Sequence, residues 1–387
     1  MSDSSERPAD AGLRDGPESS ESDVDGAACL VDGPPGAEPW RILGEVWVGY
    51  DPEGVVVDRR TDRAYVACSR SNAVAVVDLD TMTRIGEVAV GLEPIDIAID
   101  DQRGLIFTAD ARSDQLSVVD PLRDEVVAEI PVGTYPAGLA IDVPGRRLYV
   151  GNAMGGTMSI VDLDSLAVLD TVTAEIGAGA VAVDPRYGRA YCVNFLAASV
   201  TVVDLDTRES VARLDVGAGP CAVAVNPVDD EIYVINSVAG TVSRIDAAKG
   251  ETTGDEIPTG SAPVGLVAGP DGDRLYVGNR GDGTVSVVGV DGHEWTRIPV
   301  SDGPGGVSVH PEHRNRILVA NAGSGTLTVA DDLTTGPPAP GTSVPVAHPL
   351  VGQRLPEFAL PAMRSETVRH SREWSERKYI LNFFASW

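Results

Sequence analysis

The sequence predicts an all-β protein whose strands close into a ring, and three observations predict it. A hydrophobic run ends at Asp78, Asp120, Asp162, Asp204, Asp246, Gly289 and Asp331, in steps of 42, 42, 42, 42, 43 and 42 residues. A second anchor stands ten residues upstream, at Cys68, Asp110, Asn152, Asn194, Asn236, Asn279 and Asn321, and keeps the same steps. The seventh unit lacks its last run, and a run of matching sequence stands unassigned at the other end of the chain. Two anchors sharing one period over seven units are the mark of stacked repeats. Each unit holds four short runs rich in Val, Ile, Leu, Tyr and Thr, punctuated by Gly, Pro or Asp. Four strands in about 42 residues make one blade. The fold class is therefore a seven-bladed β-propeller closed by an N-terminal strand.

Taken in order, residues 1–39 are acidic and rich in Ser, Gly, Pro and Asp. They hold too little apolar surface to offset ordering entropy, so a disordered tail is expected, with an interaction tail as the alternative. The run Arg41-Ile42-Leu43-Gly44-Glu45-Val46-Trp47-Val48-Gly49 parallels Arg84-Ile85-Gly86-Glu87-Val88-Ala89-Val90-Gly91, the fourth run of the first unit. The second unit shows all four: Ile95–Asp100, Leu105–Asp110, Leu116–Asp120 and Glu125–Val132. Prolines at 52, 94, 136, 220 and 263 mark the loop entering a blade, where fixed φ and a missing N–H are tolerated. The seventh unit has Gly306–His310, Arg316–Asn321 and Thr326–Asp331, then "LTTGPPAPGTS", which cannot be a strand. The Arg41–Val48 run is expected to supply the missing outer strand and remove the open edge. The propeller is expected over residues 40–333, a Pro-rich linker over 334–349 and a separate segment over 350–387.

Arg147-Leu148-Tyr149-Val150-Gly151-Asn152 and Arg274-Leu275-Tyr276-Val277-Gly278-Asn279, followed by runs such as Ser199–Thr207, resemble the YVTN family of β-propeller repeats. The resemblance covers about three quarters of the chain. The Gly-His and Trp-Asp signatures of WD40 propellers are absent. The resemblance implies a fold far more than a function: such propellers are interaction platforms, surface proteins or enzyme scaffolds, with ligands at the mouth of the central channel. Loops around Tyr50-Asp51-Pro52, Leu92-Glu93-Pro94 and Thr134-Tyr135-Pro136 would rim that mouth. Tyr50, Asp51, Glu93 and Tyr135 are the candidate binding residues, and plain turn residues are the alternative.

Beyond the linker the texture changes. Val351-Gly352-Gln353-Arg354-Leu355-Pro356-Glu357-Phe358-Ala359-Leu360-Pro361 resembles the opening segment of redoxins, which precedes a small hairpin. Tyr379–Trp387 resembles the first central strand of a thioredoxin fold. Phe384-Ala385-Ser386-Trp387 points to the thiol-disulfide branch, in which the nucleophilic Cys follows at once, at a helix N-terminus that lowers its pKa. The resemblance therefore implies a catalytic residue directly after Trp387 and none before it. Three accounts stay open: a frameshift or sequence break, a Cys codon mutated to TGA, or TGA read as selenocysteine. The third predicts TGA after the Trp387 codon, then two residues, a Cys and roughly a hundred residues of thioredoxin-like sequence in frame. Sequencing past that codon decides it.

The net charge is −28, and the only lysines are Lys249 and Lys378. That charge argues against a nucleic-acid partner and repels anionic membranes. The excess of Arg fits either a high-salt cytoplasm or GC-rich coding. No stretch of 18 apolar residues and no visible signal peptide occur, so a cytoplasmic location is expected unless a misassigned start hides an export signal. Cys29, Cys68, Cys192 and Cys221 lack metal-type spacing and read as small buried hydrophobes. His310-Pro311-Glu312-His313 reads as surface turn residues, with no metal site expected. No phosphate loop, nucleotide fingerprint or Gly-x-Ser-x-Gly is present, and no cofactor is implied. Two functions follow: a binding propeller fused to a thiol or selenol oxidoreductase, with a protein or small molecule at the channel mouth, or a non-enzymatic interaction propeller with an inert redoxin remnant.

Overall fold

The computed structural model describes residues 38–337, together with the backbone of two short strands, Ala359–Pro361 and Val368–His370. Expectations for most of the N-terminal tail, most of the linker and most of the 350–387 segment lie outside the described residues. Seven four-stranded antiparallel sheets follow one another around a ring. In six of them the strands pair in sequence order, from inner to outer. The seventh consists of Pro304–Val309, Arg316–Asn321 and Thr326–Asp332, with Trp40–Trp47 as its outer strand. The register runs from Trp40 opposite Asp332 to Trp47 opposite Thr326, with a bulge between Ile42 and Gly44. The chain end therefore completes the last blade, as the matching runs predicted. All inner strands but one begin at proline, Pro304 included; the fourth blade begins at Ala178.

The core consists of seven hydrophobic clusters, one in each seam between neighbouring blades. Strand periodicity explains this, because successive side chains point to opposite faces and both faces are covered. In the second strand of the first blade, Tyr65 and Ala67 face the second blade, while Val66 and Cys68 face the seventh. Tyr65, Tyr149, Tyr191, Tyr233 and Tyr276 are the largest fully buried side chains, one in each of five blades, with Phe107 in that position of the second blade and Leu318 in the seventh.

The Asn that ends the second strand has a local purpose. The amide of Asn279 donates to Thr284 (3.1 Å) and Ser286 (2.9 Å) on the third strand, while its carbonyl accepts from Gly260 N (3.1 Å) in the loop entering the blade. Asn152, Asn194, Asn236 and Asn321 bond the same two downstream hydroxyl positions. In the first blade Cys68 replaces Asn, and Ala73 and Ala75 replace the hydroxyls. Donor and acceptors are absent together, so no buried polar group is orphaned there.

Inner-to-second and third-to-outer turns lie on one face of the ring, the remaining turns on the other. On the first face polar side chains tie every seam. Arg60 reaches Gly104 O (3.2 Å), Arg103 reaches Leu163 O (2.5 Å) and Arg147 reaches Leu205 O. Arg186 reaches Asn226 O (2.8 Å), Asn226 reaches Gly272 O (3.0 Å) and Arg274 reaches Asp332 (2.6 Å). His310 Nε2 meets Asp62 Oδ1 at 2.7 Å and ties the seventh blade to the first. The Arg excess thus has a structural use, since a planar guanidinium spans a seam with its donors in a fixed fork and a lysine ammonium is a point charge on a flexible stem. His310 is buried, not a surface residue, and its Nδ1 accepts from Glu312 N and His313 N. Both ring nitrogens serve the seam.

Candidate functional site

The other face carries the loops that enter the blades. One position in each of these loops has left-handed backbone: Asp51, Glu93, Tyr135, Gly177, Gly219, Ala262 and Gly303. Three blades meet this demand with glycine, which has no Cβ to clash. Three consecutive blades, the first to the third, use Asp, Glu and Tyr at φ of 56°, 57° and 58°. Left-handed backbone costs a non-glycine residue roughly 1 kcal/mol, and such strain clusters at functional sites.

Two of the three residues are bonded to each other, and Asp51 is coupled to them only through its charge beside Glu53. Tyr135 Oη donates to Glu93 Oε1 at 2.7 Å, and Arg112 Nε holds the other Glu93 oxygen at 2.5 Å. Arg70 Nε lies 3.2 Å from Asp51 Oδ2. Glu53, one residue into the first inner strand, takes Arg280 Nη2 of the sixth blade at 2.5 Å. That side chain crosses the seventh blade at Gly305, where an added Cβ would sit 3.0 Å from both partners. Tyr50 stands apart: its ring, largely exposed, packs edge-on against Trp47, and its N–H donates to Ser71 Oγ. Glu93 and Tyr135 are therefore in direct contact, Asp51 is bonded to Arg70, and Tyr50 belongs to the outer rim. Glu53, Arg112 and Arg280 complete the cluster and were not singled out from sequence. Phe384, Ala385, Ser386 and Trp387 lie outside the described residues.

Burial fixes what these groups can do. Burial, then the Glu93 hydrogen bond, pushes Tyr135 up to about 12, so the phenol remains a proton donor at neutral pH. Burial raises Glu53 above the ordinary carboxylate range, with the Asp51 charge adding to it and Arg280 opposing it. Burial pushes Cys68 and Cys192 up to about 12 and Cys221 to about 11. These free cysteines stay as thiols and do not supply a thiolate nucleophile. Among the described residues no group of three or more metal-type ligands is assembled.

Asp96 lies deeper, in the second inner strand. The other blades carry Gly54, Gly138, Ala180, Ala222, Gly265 and Gly306 at this position. The carboxylate accepts Ile97 N (2.8 Å) and, from the next blade, Leu139 N (2.7 Å). Burial outweighs these bonds and pushes it up to about 6. A carboxyl raised in the folded state binds its proton more tightly there than in the unfolded chain. Its contribution is full below about pH 4 and is lost as pH rises through about 6. The wild type is therefore expected to lose stability relative to Asp96→Asn between pH 4 and 7. Denaturant titrations of both proteins across that window measure this, and a constant difference would defeat the assignment.

A pocket of about 350 Å³ opens on the opposite face, lined by Arg274, Tyr276, Arg314, Asn315 and Asp332 among others. Its charged groups bond one another or their blade neighbours, which makes it a structural seam.

No known sequence-family profile matches the chain, and no curated protein matches it. Solved structures do match by fold. One is a chain of hydrazine synthase from Kuenenia stuttgartiensis, with a TM-score of 0.66 and 21% sequence identity over 72% of this chain and 95% of that one. At that identity the likeness establishes the seven-bladed β-propeller and leaves its use to be argued from the site.

Proposed function

We propose that this chain is a binding module whose ligand is received at the channel mouth around Asp51, Glu53, Glu93 and Tyr135, and that it serves a redoxin-type thiol or selenol disulfide oxidoreductase to which residues 350–387 belong. The observation that carries the binding half is the left-handed loop position. The residues that forgo glycine there, Ala262 aside, lie on consecutive blades and carry the functional groups of one cluster. The redoxin half rests on the resemblance of residues 351–361 and 379–387. A two-stranded hairpin of Ala359–Pro361 with Val368–His370 begins where that opening segment ends.

The test is a thermal-shift screen of amines, amino acids and short peptides against the full chain. Binding at the mouth predicts hits whose stabilisation is lost in Tyr135→Ala and Glu93→Ala and kept in Arg314→Ala on the opposite face. Hits that ignore the first two substitutions would overturn the binding reading.

A further inference from the structure

The face that carries the mouth is divided by chemistry. Over the third to fifth blades the loops present Met154, Ile176, Phe195, Leu196 and Val238, which are 68%, 59%, 41%, 69% and 71% exposed. The first four form one continuous patch, and Val238 stands on the next blade. Gly177 N donates to Ala153 O (3.0 Å) and Phe195 N to Gly177 O (3.0 Å), which join the loops of Met154, Ile176 and Phe195. Ser237 N donates to Gly219 O (2.8 Å), and Val238 lies directly against Gly219. None of the five belongs to a seam cluster. An apolar arc rimmed by polar residues marks an interaction surface.

Over the sixth, seventh, first and second blades the equivalent loops and strand start carry Asp51, Glu53, Glu93, Asp114, Asp282 and Asp302, with exposed Tyr50 and Leu92 beside two of them. Arg70, Arg112, Arg280 and Arg297 each already hold one of these carboxylates. Asp114 and Asp302 are exposed and keep the arc acidic, on a protein of net charge −28. A partner covering both arcs must bring apolar side chains to one half and cations to the other. Such a division fits a polypeptide, since an anionic bilayer would be repelled by half of the face.

We propose that this face docks a cationic, amphipathic segment of a partner protein, with its apolar residues on the Met154–Leu196–Val238 arc and its Lys or Arg residues at the acidic arc. The proposal rests on the binding-module reading and adds the class of partner.

The probe is a fluorescent 18-residue Leu/Lys peptide of helical spacing, with Leu/Glu and Ser/Lys peptides of equal length as controls, titrated against the full chain. The Leu/Lys peptide is expected to bind, to weaken with added salt, and to weaken about tenfold in Met154→Ser/Leu196→Ser and again in Asp114→Asn/Asp302→Asn. Val228→Ser, an exposed apolar residue on the opposite face, should change nothing. Equal binding of the Ser/Lys peptide would show attraction by charge alone and overturn the proposal. So would insensitivity to the Met154/Leu196 pair, binding to phosphatidylcholine vesicles through that pair, or self-association of the chain abolished by it. Small-ligand hits at Tyr135 with no Leu/Lys binding would remove the polypeptide partner and leave the binding module standing. Loss of both would remove both.

Discussion

Removal of residues 1–49 is expected to lower the melting temperature by about 5–10 °C, whereas removal of residues 1–38 leaves it within about 1 °C of the full chain. The larger deletion takes the outer strand of the seventh blade. That strand contributes Val46 and Val48 to the seam between the seventh and first blades, and Trp40 to the seam between the sixth and seventh. Losing three such side chains costs on the order of 5 kcal/mol of burial. It also exposes the Thr326–Asp332 edge, a template for pairing with another chain. Asp331 loses Arg41 (2.8 Å), and Leu333 N loses Pro39 O (2.8 Å), which the shorter deletion spares. Calorimetry of the two truncations decides the matter, and equal melting temperatures would mean that the ring holds without its closing strand.

The ring was legible because a repeat states its fold many times over. Two anchors at one period located the blades, and comparing the first unit with residues 41–49 located the closing strand. The same columns, read for departures, held more than was taken from them. Glu53 occupies a position where the other blades have Ile95, Ala137, Gly179, Cys221, Val264 and Gly305. Asp96 is the one charged residue in a column of Gly and Ala. Glycine at 177, 219 and 303 signals left-handed backbone, so the strain at Asp51, Glu93 and Tyr135 was implicit in the alignment of units. Contacts between units were not legible. The pairing of Glu53 with Arg280 spans 227 positions and crosses an intervening blade, and no periodicity encodes it. His310 failed in the same way, because its partner Asp62 is 248 positions distant and becomes a neighbour only when the ring closes. The arginine bias carried a meaning that composition alone could not supply, since its use at the seams appears only with the blades in place.

The seam between the sixth and seventh blades supplies the other large effect: Asp332→Ala is expected to cost about 3 kcal/mol. The Asp332 side chain is fully buried and that of Arg274 is 13% exposed, with 2.6 Å between Nη1 and Oδ2. Tyr276 Oη donates to the same oxygen at 2.9 Å, and the other accepts Thr334 N and Oγ1 at 2.9 and 2.7 Å. Burial, followed by the Asp332 charge, holds the Tyr276 phenol well above its ordinary range, so it remains the donor. Removing the carboxylate leaves a guanidinium, a phenol and a backbone N–H without their shared acceptor at the floor of the pocket, where unmade bonds are costly. Asp273, at 2.9 Å from Arg274 but 45% exposed, keeps the guanidinium from being wholly unpaired, which places the loss at the low end of the range for buried pairs. Asp332→Asn retains the shape and one acceptor and should cost about half as much. Adding Arg274→Met to Asp332→Ala should recover part of the loss, because the stranded charge is gone while the stem still packs on Trp295, whose ring lies 4.6 Å from the guanidinium carbon. Denaturant unfolding of the four proteins orders them. If Asp332→Ala proves as stable as the wild type, Asp273 and Thr334 satisfy Arg274 and the seam does not depend on the buried carboxylate.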